Sequence, residues 1–174
     1  MQGKEQQRQE WLDALAGLGA IRFARRYHRF REAFAFYRDL VGLPLRESFA
    51  RSYGSTGAIF ALPESACTFE LIAAAAPVLV DPDEQLCLYF RDAAAMAAVR
   101  TRLEAAGVAP VAAHPYWTAT GAVAFRNPEG RGLVLAPFLY GVNEPAAGRA
   151  EGEHAFPSAE PQRLDAPGQG QQRR

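Results

Sequence analysis

One stretch of the sequence decides the fold, and it runs FAFYRDLVGLP from Phe34 to Pro44. The apolar residues in and just before it recur at the three- and four-residue spacings of an amphipathic helix. They are Phe30, Phe34, Tyr37 and Val41. Gly42 follows the last of them and Pro44 comes two residues later, which is a common way for a helix to end. The pattern predicts a helix over about Arg31–Val41 with one buried face.

The same pattern occurs a second time further along the chain. A second helical face, predicted over about Ala93–Ala106, is formed by Met96, Val99, Leu103 and Ala106. Gly107 ends this helix and Pro110 follows, as Gly42 and Pro44 do in the first copy. The two glycines that end the helices are 65 residues apart, and two turn glycines, Gly57 and Gly121, are 64 apart. Because one offset fits both features, the sequence indicates an internal duplication.

Strand patterns surround each helix in the same order. A strand is predicted before each helix, at Ile21–Tyr27 and at Gln85–Phe90, and three strands are predicted after it. The run from Cys67 to Ile72 in the first copy corresponds to the run from Gly132 to Ala136 in the second. The sequence therefore predicts an α+β fold with two βαβββ half-repeats, about 21–76 and 84–140, within a single domain over 21–140.

Three short motifs resemble one known superfamily. The helix end Phe34–Pro44 resembles the AFYRDxLGLP pattern of the vicinal oxygen chelate superfamily, which contains glyoxalases, bleomycin-resistance proteins and extradiol dioxygenases. The turn Arg126–Gly130 is similar to the DPDG hairpin of that superfamily, and Pro115–Trp117 followed by Gly121 is similar to the PYW…G of one glyoxalase-like subgroup. The resemblance implies a half-open eight-stranded barrel around a cavity. It does not specify a reaction, because this fold carries many activities.

The resemblance also implies where a metal centre would lie. Metal-dependent members place one ligand on the first and last strand of each half, and these positions correspond here to Arg22, Glu70, Gln85 and Val134. Glu70 is an ordinary metal ligand and Gln85 a weak one, but Val134 cannot coordinate and Arg22 brings a fixed positive charge. We therefore predict no cofactor and no metal ligands, with a divalent metal as the disfavoured alternative.

The predicted cavity supplies the candidate site residues. Because strand residues two apart share a face, Arg26 accompanies Arg22, and Tyr89 accompanies Gln85. The predicted ligand-binding residues are Arg22, Arg26, Gln85, Tyr89, His114, Tyr116 and Trp117. Glu70 is the candidate general base. Arg22 either pairs with Glu70 or binds a carboxylate or phosphate of the ligand.

Two functions follow from these residues. The first is a protein that binds a small organic molecule, for sequestration or resistance, with a degenerate metal site. The alternative is an enzyme of the same fold, of lyase, isomerase or dioxygenase type, that uses Glu70 as a base or an unusual metal arrangement. The incomplete ligand set favours binding, whereas metal-free acid–base chemistry remains compatible with it.

Charge and composition narrow the range of partners. Lys plus Arg and Asp plus Glu both number 19, so the formal net charge is zero. Such a chain has no overall field that attracts nucleic acid, and its longest apolar run is too short to span a membrane. The sequence predicts a cytoplasmic protein that forms a homodimer, because open sheet edges favour pairing.

The two ends of the chain differ in composition from the domain. Residues 1–20 contain an amphipathic stretch with Trp11, Leu12 and Leu15 on one face, which predicts a helical extension. Residues 141–174 are rich in Pro, Gly, Gln, Glu and Arg, and a segment of this composition buries too little apolar area to offset its ordering entropy. We therefore predict a disordered tail.

Overall fold

The first half of the molecule is a four-stranded sheet with one helix. The computed structural model describes residues 17–62 and 65–146. The strands are β1 (Ile21–Tyr27), β2 (Leu45–Ser52), β3 (Ser55–Ala61) and β4 (Cys67–Ala73). Their order is β1-β4-β3-β2, with β1 and β4 parallel and the other pairs antiparallel. The predicted extension before residue 17 and the predicted tail after residue 146 lie outside the described residues.

The helix predicted from the opening motif is present, and it changes from an α-helix to a π-helix along its length. The α-helix α1 (Phe30–Ala35) continues as a π-helix over Phe36–Val41. Gly42 ends it with φ 85°, in the left-handed region that favours glycine. The backbone N–H groups of Gly42 and Leu43 both donate to the carbonyl of Tyr37, at 3.1 and 2.9 Å. The expected helix end is confirmed, whereas the wider π turns were not predicted.

The second half repeats this arrangement on a smaller scale. It contains β5 (Gln85–Tyr89), the helix α2 (Ala93–Ala105), β6 (Val123–Arg126) and β7 (Gly132–Ala136). The strand order is β5-β7-β6, and β5 and β7 are parallel. The Asp92 carboxylate accepts a hydrogen bond of 2.7 Å from the N–H of Ala95, which caps the start of α2.

The two halves share the same strand register. Arg22 lies opposite Thr68 in the β1·β4 pair, and Gln85 lies opposite Gly132 in the β5·β7 pair. Two residues further on, Glu70 lies opposite Ala24 in the first pair. In the second pair Val134 lies opposite Cys87. Glu70 and Val134 therefore occupy corresponding positions in the two parallel pairs, as the sequence offset predicts.

The halves differ where a strand was predicted after α2. The described residues form an isolated bridge between Val111 and Ala124 in this region, followed by the short helix α3 (Pro115–Ala119). Pro115 at the first turn favours a helix, and a proline cannot donate a backbone hydrogen bond to a sheet. The described residues thus contain seven strands rather than eight, in two separate sheets. The α+β class is confirmed.

A single core joins the two halves. The helices and one face of each sheet pack together through Tyr27, Phe36, Tyr37, Phe60, Phe69, Met96, Leu103, Phe125, Leu133 and Leu135. Inside it the hydroxyls of Tyr27 and Tyr37 lie 3.2 Å apart, and the Asn127 side-chain amide donates to the Tyr37 hydroxyl. Burial raises the pKa of both phenols, so both stay protonated.

Charged residues also connect the halves. Arg25 on β1 and Arg131 before β7 have side chains only 8% and 5% exposed, and both pair with Glu84. The Arg25 Nε lies 2.5 Å from one carboxylate oxygen, and Arg131 Nη1 donates to the other. Arg131 also donates to the backbone carbonyl of Arg26 at 3.1 Å. Glu84 is therefore the shared counter-ion of two buried cations that come from different halves.

Replacing this carboxylate should destabilise the protein strongly. Glu84→Gln removes the carboxylate partner of the buried Arg25 and leaves Arg131 with only the more distant Glu129, at 4.0 Å, so we expect a loss of about 3–5 kcal/mol in the free energy of unfolding. Urea denaturation measures the loss. Glu104→Gln is the matched control, because Glu104 pairs with Arg100 on the exposed face of α2 and its loss should cost under about 0.5 kcal/mol. Equal effects of the two substitutions would contradict this role for Glu84.

Candidate functional site

One face of the second sheet is turned away from the core. Leu86 and Leu88 of β5 pack against the core that contains α2, so Gln85, Cys87 and Tyr89 point to the opposite face. Val134 of β7 lies on that face beside Cys87, and Ala124 of β6 lies beside Val134. Apart from Gln85 and Arg126, which shares a face with Ala124, this face is apolar or aromatic, which suits an organic ligand better than a metal ion.

The short helix α3 covers part of this face. His114 precedes α3, and its Nδ1 accepts a hydrogen bond of 3.2 Å from the N–H of Tyr116. Thr120 ends the helix, and its hydroxyl donates to the carbonyl oxygens of Tyr116 and Trp117. Trp117 is thereby held inward, 7% exposed, against Val134 and Ala124 in a second apolar cluster. His114 thus has a structural role as a helix cap as well as its position at the site.

Between the sheet and the chain around α3 there is a cavity of about 440 Å³. This volume lies within the range of small-molecule pockets. Its lining includes the predicted residues Gln85, His114 and Trp117, together with Val111, Ala112, Ala113, Ala124 and Val134. Asp83 and Arg126 add charge at the rim, where Arg126 Nη1 also donates to the carbonyls of Pro82 and Gly130, both at 3.1 Å. We refer to this space as the α3 cavity.

Tyr89 and Tyr116 lie next to the α3 cavity without lining it. Their rings contact Trp117 at centroid distances of 6.3 and 4.6 Å. The Tyr116 hydroxyl donates to Glu144, a residue that follows the last strand. Burial, and then the Glu144 carboxylate, raise the pKa of Tyr116, so this phenol is a hydrogen-bond donor rather than a base at neutral pH.

Three predicted site residues lie on the first sheet instead. Arg22 Nη1 lies 3.5 Å from Glu70 Oε2, so these side chains pair with one another. The Glu70 side chain is 12% exposed and that of Arg22 is 55% exposed. Arg26 shares their face by strand alternation and is exposed. None of the residues that line the α3 cavity comes from the first half, so one chain does not place Glu70 beside Gln85 in this cavity.

Sequence reasoning missed several residues around the site. The cavity is also lined by a segment predicted as strand, which contains Val111, Ala112 and Ala113. The prolines on either side of this segment, Pro110 and Pro115, were the sequence signal against a regular strand. Glu144 was assigned to the tail by composition. Glu84 had no signal, because its two arginine partners are distant in sequence.

The donors needed for a metal centre do not converge in this part of the chain. In residues 17–62 and 65–146 no group of three or more His, Cys, Asp or Glu side chains is placed to hold a metal ion. Cys67 and Cys87 are both free thiols, and burial raises the pKa of Cys87. None of the described helices is long and apolar enough to cross a membrane.

Solved structures show which class of protein shares this architecture. No family model and no curated protein matches the chain. A YycE protein of unknown function from Bacillus subtilis, named as a candidate glyoxalase/fosfomycin resistance protein, is 28% identical. The match covers 70% of this chain and 90% of that one, with a TM-score of 0.62.

Two more distant structures share the fold. An antibiotic-binding protein, TnmS3, from a Streptomyces species is 21% identical over 67% of this chain and 93% of its own, with a TM-score of 0.52. A fosfomycin resistance protein from Listeria monocytogenes, solved as a mutant with Mn(II) and a dihydroxypropylphosphonic acid, is 12% identical. It covers 71% of this chain and 94% of its own, with a TM-score of 0.53. The predicted resemblance to the vicinal oxygen chelate superfamily is therefore confirmed by the fold.

Proposed function

We propose that this protein binds a small organic molecule in the α3 cavity and sequesters it, as a resistance protein does. The observation that carries the proposal is the cavity itself, with apolar walls, an aromatic wall at Trp117 and polar groups at Gln85 and His114. Apolar surface supplies most of the affinity in such pockets, and a few polar groups set the orientation of the ligand. An antibiotic-binding protein with this fold supports the same role.

The proposal includes a degenerate metal site. Of the four positions that correspond to metal ligands in the superfamily, Val134 is 1% exposed in an apolar cluster and Arg22 pairs with Glu70. A guanidinium at one ligand position opposes a cation, and the remaining Glu70 and Gln85 are too few for tight binding of zinc or iron. The residues present therefore do not fit the metal centre of the enzymes.

We further propose that the protein works as a cytoplasmic homodimer. Ile21 and Phe23 on β1 and Leu45 on β2 are large apolar side chains that are 52%, 45% and 41% exposed. Ile21 and Phe23 share one face of the edge strand β1, and Leu45 lies on the opposite edge strand β2. Exposed apolar residues of this kind are typical of protein interfaces.

Catalysis remains the second candidate. It is favoured by the position of Glu70, a mostly buried carboxylate beside a cation, which could act as a base toward a ligand held at the same face. The relatives include both binding proteins and an oxidase, so the fold alone does not separate the two functions.

Narrowing the α3 cavity should weaken ligand binding without unfolding the protein. Ala112 lines the cavity and is exposed, so Ala112→Phe adds bulk at the mouth without disturbing the core. A thermal-shift screen of a metabolite and antibiotic collection identifies a ligand, and calorimetry should then show a loss of affinity of at least about tenfold in the variant. Ala109→Phe, in the same segment but outside the lining, is the control. Equal affinities in both variants would contradict binding in this cavity.

Protein purified without chelator should carry no stoichiometric transition metal. The reason is the ligand set, in which Glu70 is the one strong donor and is already paired with Arg22. Elemental analysis by inductively coupled plasma mass spectrometry measures the content. About one equivalent of metal per chain that disappears in Glu70→Ala would show that the site is intact after all.

Sedimentation velocity should show a dimer that depends on the face of β1 that contains the exposed apolar side chains of Ile21 and Phe23. Ile21→Glu places a charge on this face and should shift the protein towards the monomer. Leu79→Glu is the matched control, because Leu79 is 96% exposed in the connection between the halves. A wild-type monomer, or a dimer that both substitutions leave unchanged, would contradict the proposed interface.

A further inference from the structure

A cluster of aromatic side chains extends from α3 to the chain after β7. It consists of Tyr89, Tyr116, Trp117 and Tyr140, and we call it the tyrosine cluster. Tyr116 packs on Trp117 with a ring-centroid distance of 4.6 Å, and Tyr89 lies 6.3 Å from Trp117 and 6.2 Å from Tyr140. Trp117 is buried, whereas Tyr140 is 67% exposed, so the cluster leads from the apolar interior to solvent.

One carboxylate belongs to the tyrosine cluster. Glu144 accepts a hydrogen bond from the Tyr116 hydroxyl and is partly buried. Within the described residues Glu144 forms no ion pair, in contrast to Glu70, Glu84 and Glu104, each of which has an arginine partner. Among the described residues, the hydrogen-bond partner of this partly buried carboxylate is therefore a phenol and not a cation.

Burial and neighbouring groups keep Tyr89 and Tyr116 of the cluster protonated. Burial raises the pKa of Tyr89 and Tyr116, and the Glu144 carboxylate and the neighbouring phenols raise both further. The phenols therefore remain neutral at physiological pH, and Glu144 is the carboxylate that contacts the cluster. The electron-rich ring faces and this carboxylate together attract positive charge.

We propose that the tyrosine cluster is a binding site for a small organic ammonium ion, with the rings of Tyr140 and Tyr89 and the Glu144 carboxylate as its contacts. Alkylated ammonium groups suit such a site, because aromatic faces attract a cation while their methyl groups bury apolar surface. A small inorganic cation fits less well, since it would lose its hydration shell for one carboxylate, and residues 17–62 and 65–146 contain no group of three or more metal-binding side chains. The site is separate from the α3 cavity and shares only Trp117 with it.

Choline and its neutral carbon isostere, 3,3-dimethylbutan-1-ol, provide the direct test on the full-length protein. NMR titration at constant ionic strength, balanced with potassium chloride, should show saturable binding of choline and binding of the alcohol that is weaker by about tenfold or more. Equal binding of the two compounds, or no binding of choline, would overturn the proposal, since charge is the property that distinguishes them.

Substitutions then locate the site. Glu144→Gln keeps the hydrogen bond to Tyr116 but removes the charge, and Tyr140→Leu removes an exposed ring; each should weaken choline binding by about fivefold to tenfold. Tyr53→Leu is the control, because Tyr53 is a fully exposed tyrosine in the β2–β3 turn and should leave choline binding unchanged. Unchanged melting temperatures show that the variants are folded. Full choline affinity in Glu144→Gln and Tyr140→Leu would overturn the proposal.

The Ala112→Phe variant distinguishes the ammonium site at the tyrosine cluster from the ligand site in the α3 cavity. Ala112→Phe should bind choline with wild-type affinity, because Ala112 lines the α3 cavity and lies outside the tyrosine cluster. Loss of choline binding in Ala112→Phe would place the cation in the cavity and overturn the assignment to the cluster. Failure of the cavity to bind any organic ligand would count against the proposed function, whereas the choline titration would still decide on the ammonium site.

Discussion

The pairing of Glu84 with Arg25 and Arg131 is the constraint on which the arrangement of the two halves depends. The core between the halves is apolar and could accommodate small shifts of one half against the other. Two buried cations that share one carboxylate permit far less movement, because a shift would leave a buried charge unpaired. Glu84 and the neighbouring Gln85 also line the α3 cavity, so the same contact that joins the halves positions the rim of the site.

The internal duplication accounts for the similar backbone arrangement of the two halves. The differences between the halves account for the α3 cavity. The parallel strand pairs have the same register in both halves, so the backbone scaffold is closely repeated. The first half completes its sheet with four strands, whereas the second replaces one strand with a single bridge and the helix α3. The cavity lies where this replacement opens the sheet and places Trp117 over its exposed face.

The sheet faces that are turned away from the core differ in chemistry because the two halves have different residues at corresponding positions. The outward face of the first sheet contains Arg22, Arg26 and Glu70 and is charged, whereas the outward face of the second is mainly apolar and aromatic, with Gln85 and Arg126 as its polar residues. Corresponding positions thus contain Glu70 in one half and Val134 in the other. A pocket of this kind is suited to holding an organic molecule, and it supplies few donors to a metal ion.

The sequence by itself determined most of the elements and their order, because these depend on local patterns, whereas the strand predicted directly after α2 is a single bridge followed by a helix. The apolar spacing from Phe30 to Val41, the glycines at 42 and 107, and the constant offset defined the helices and the repeated parallel strands. It also gave Gln85, His114 and Trp117 as candidate site residues, Gln85 through the metal-ligand positions that the resemblance implies, and His114 and Trp117 through the PYW motif and the residue before it. Only the tertiary structure decided that these residues share a cavity while Arg22 and Glu70 lie on another face. It also decided that Glu84 joins the halves and that Glu144 bonds to Tyr116, since these contacts link residues far apart in the chain and leave no local pattern.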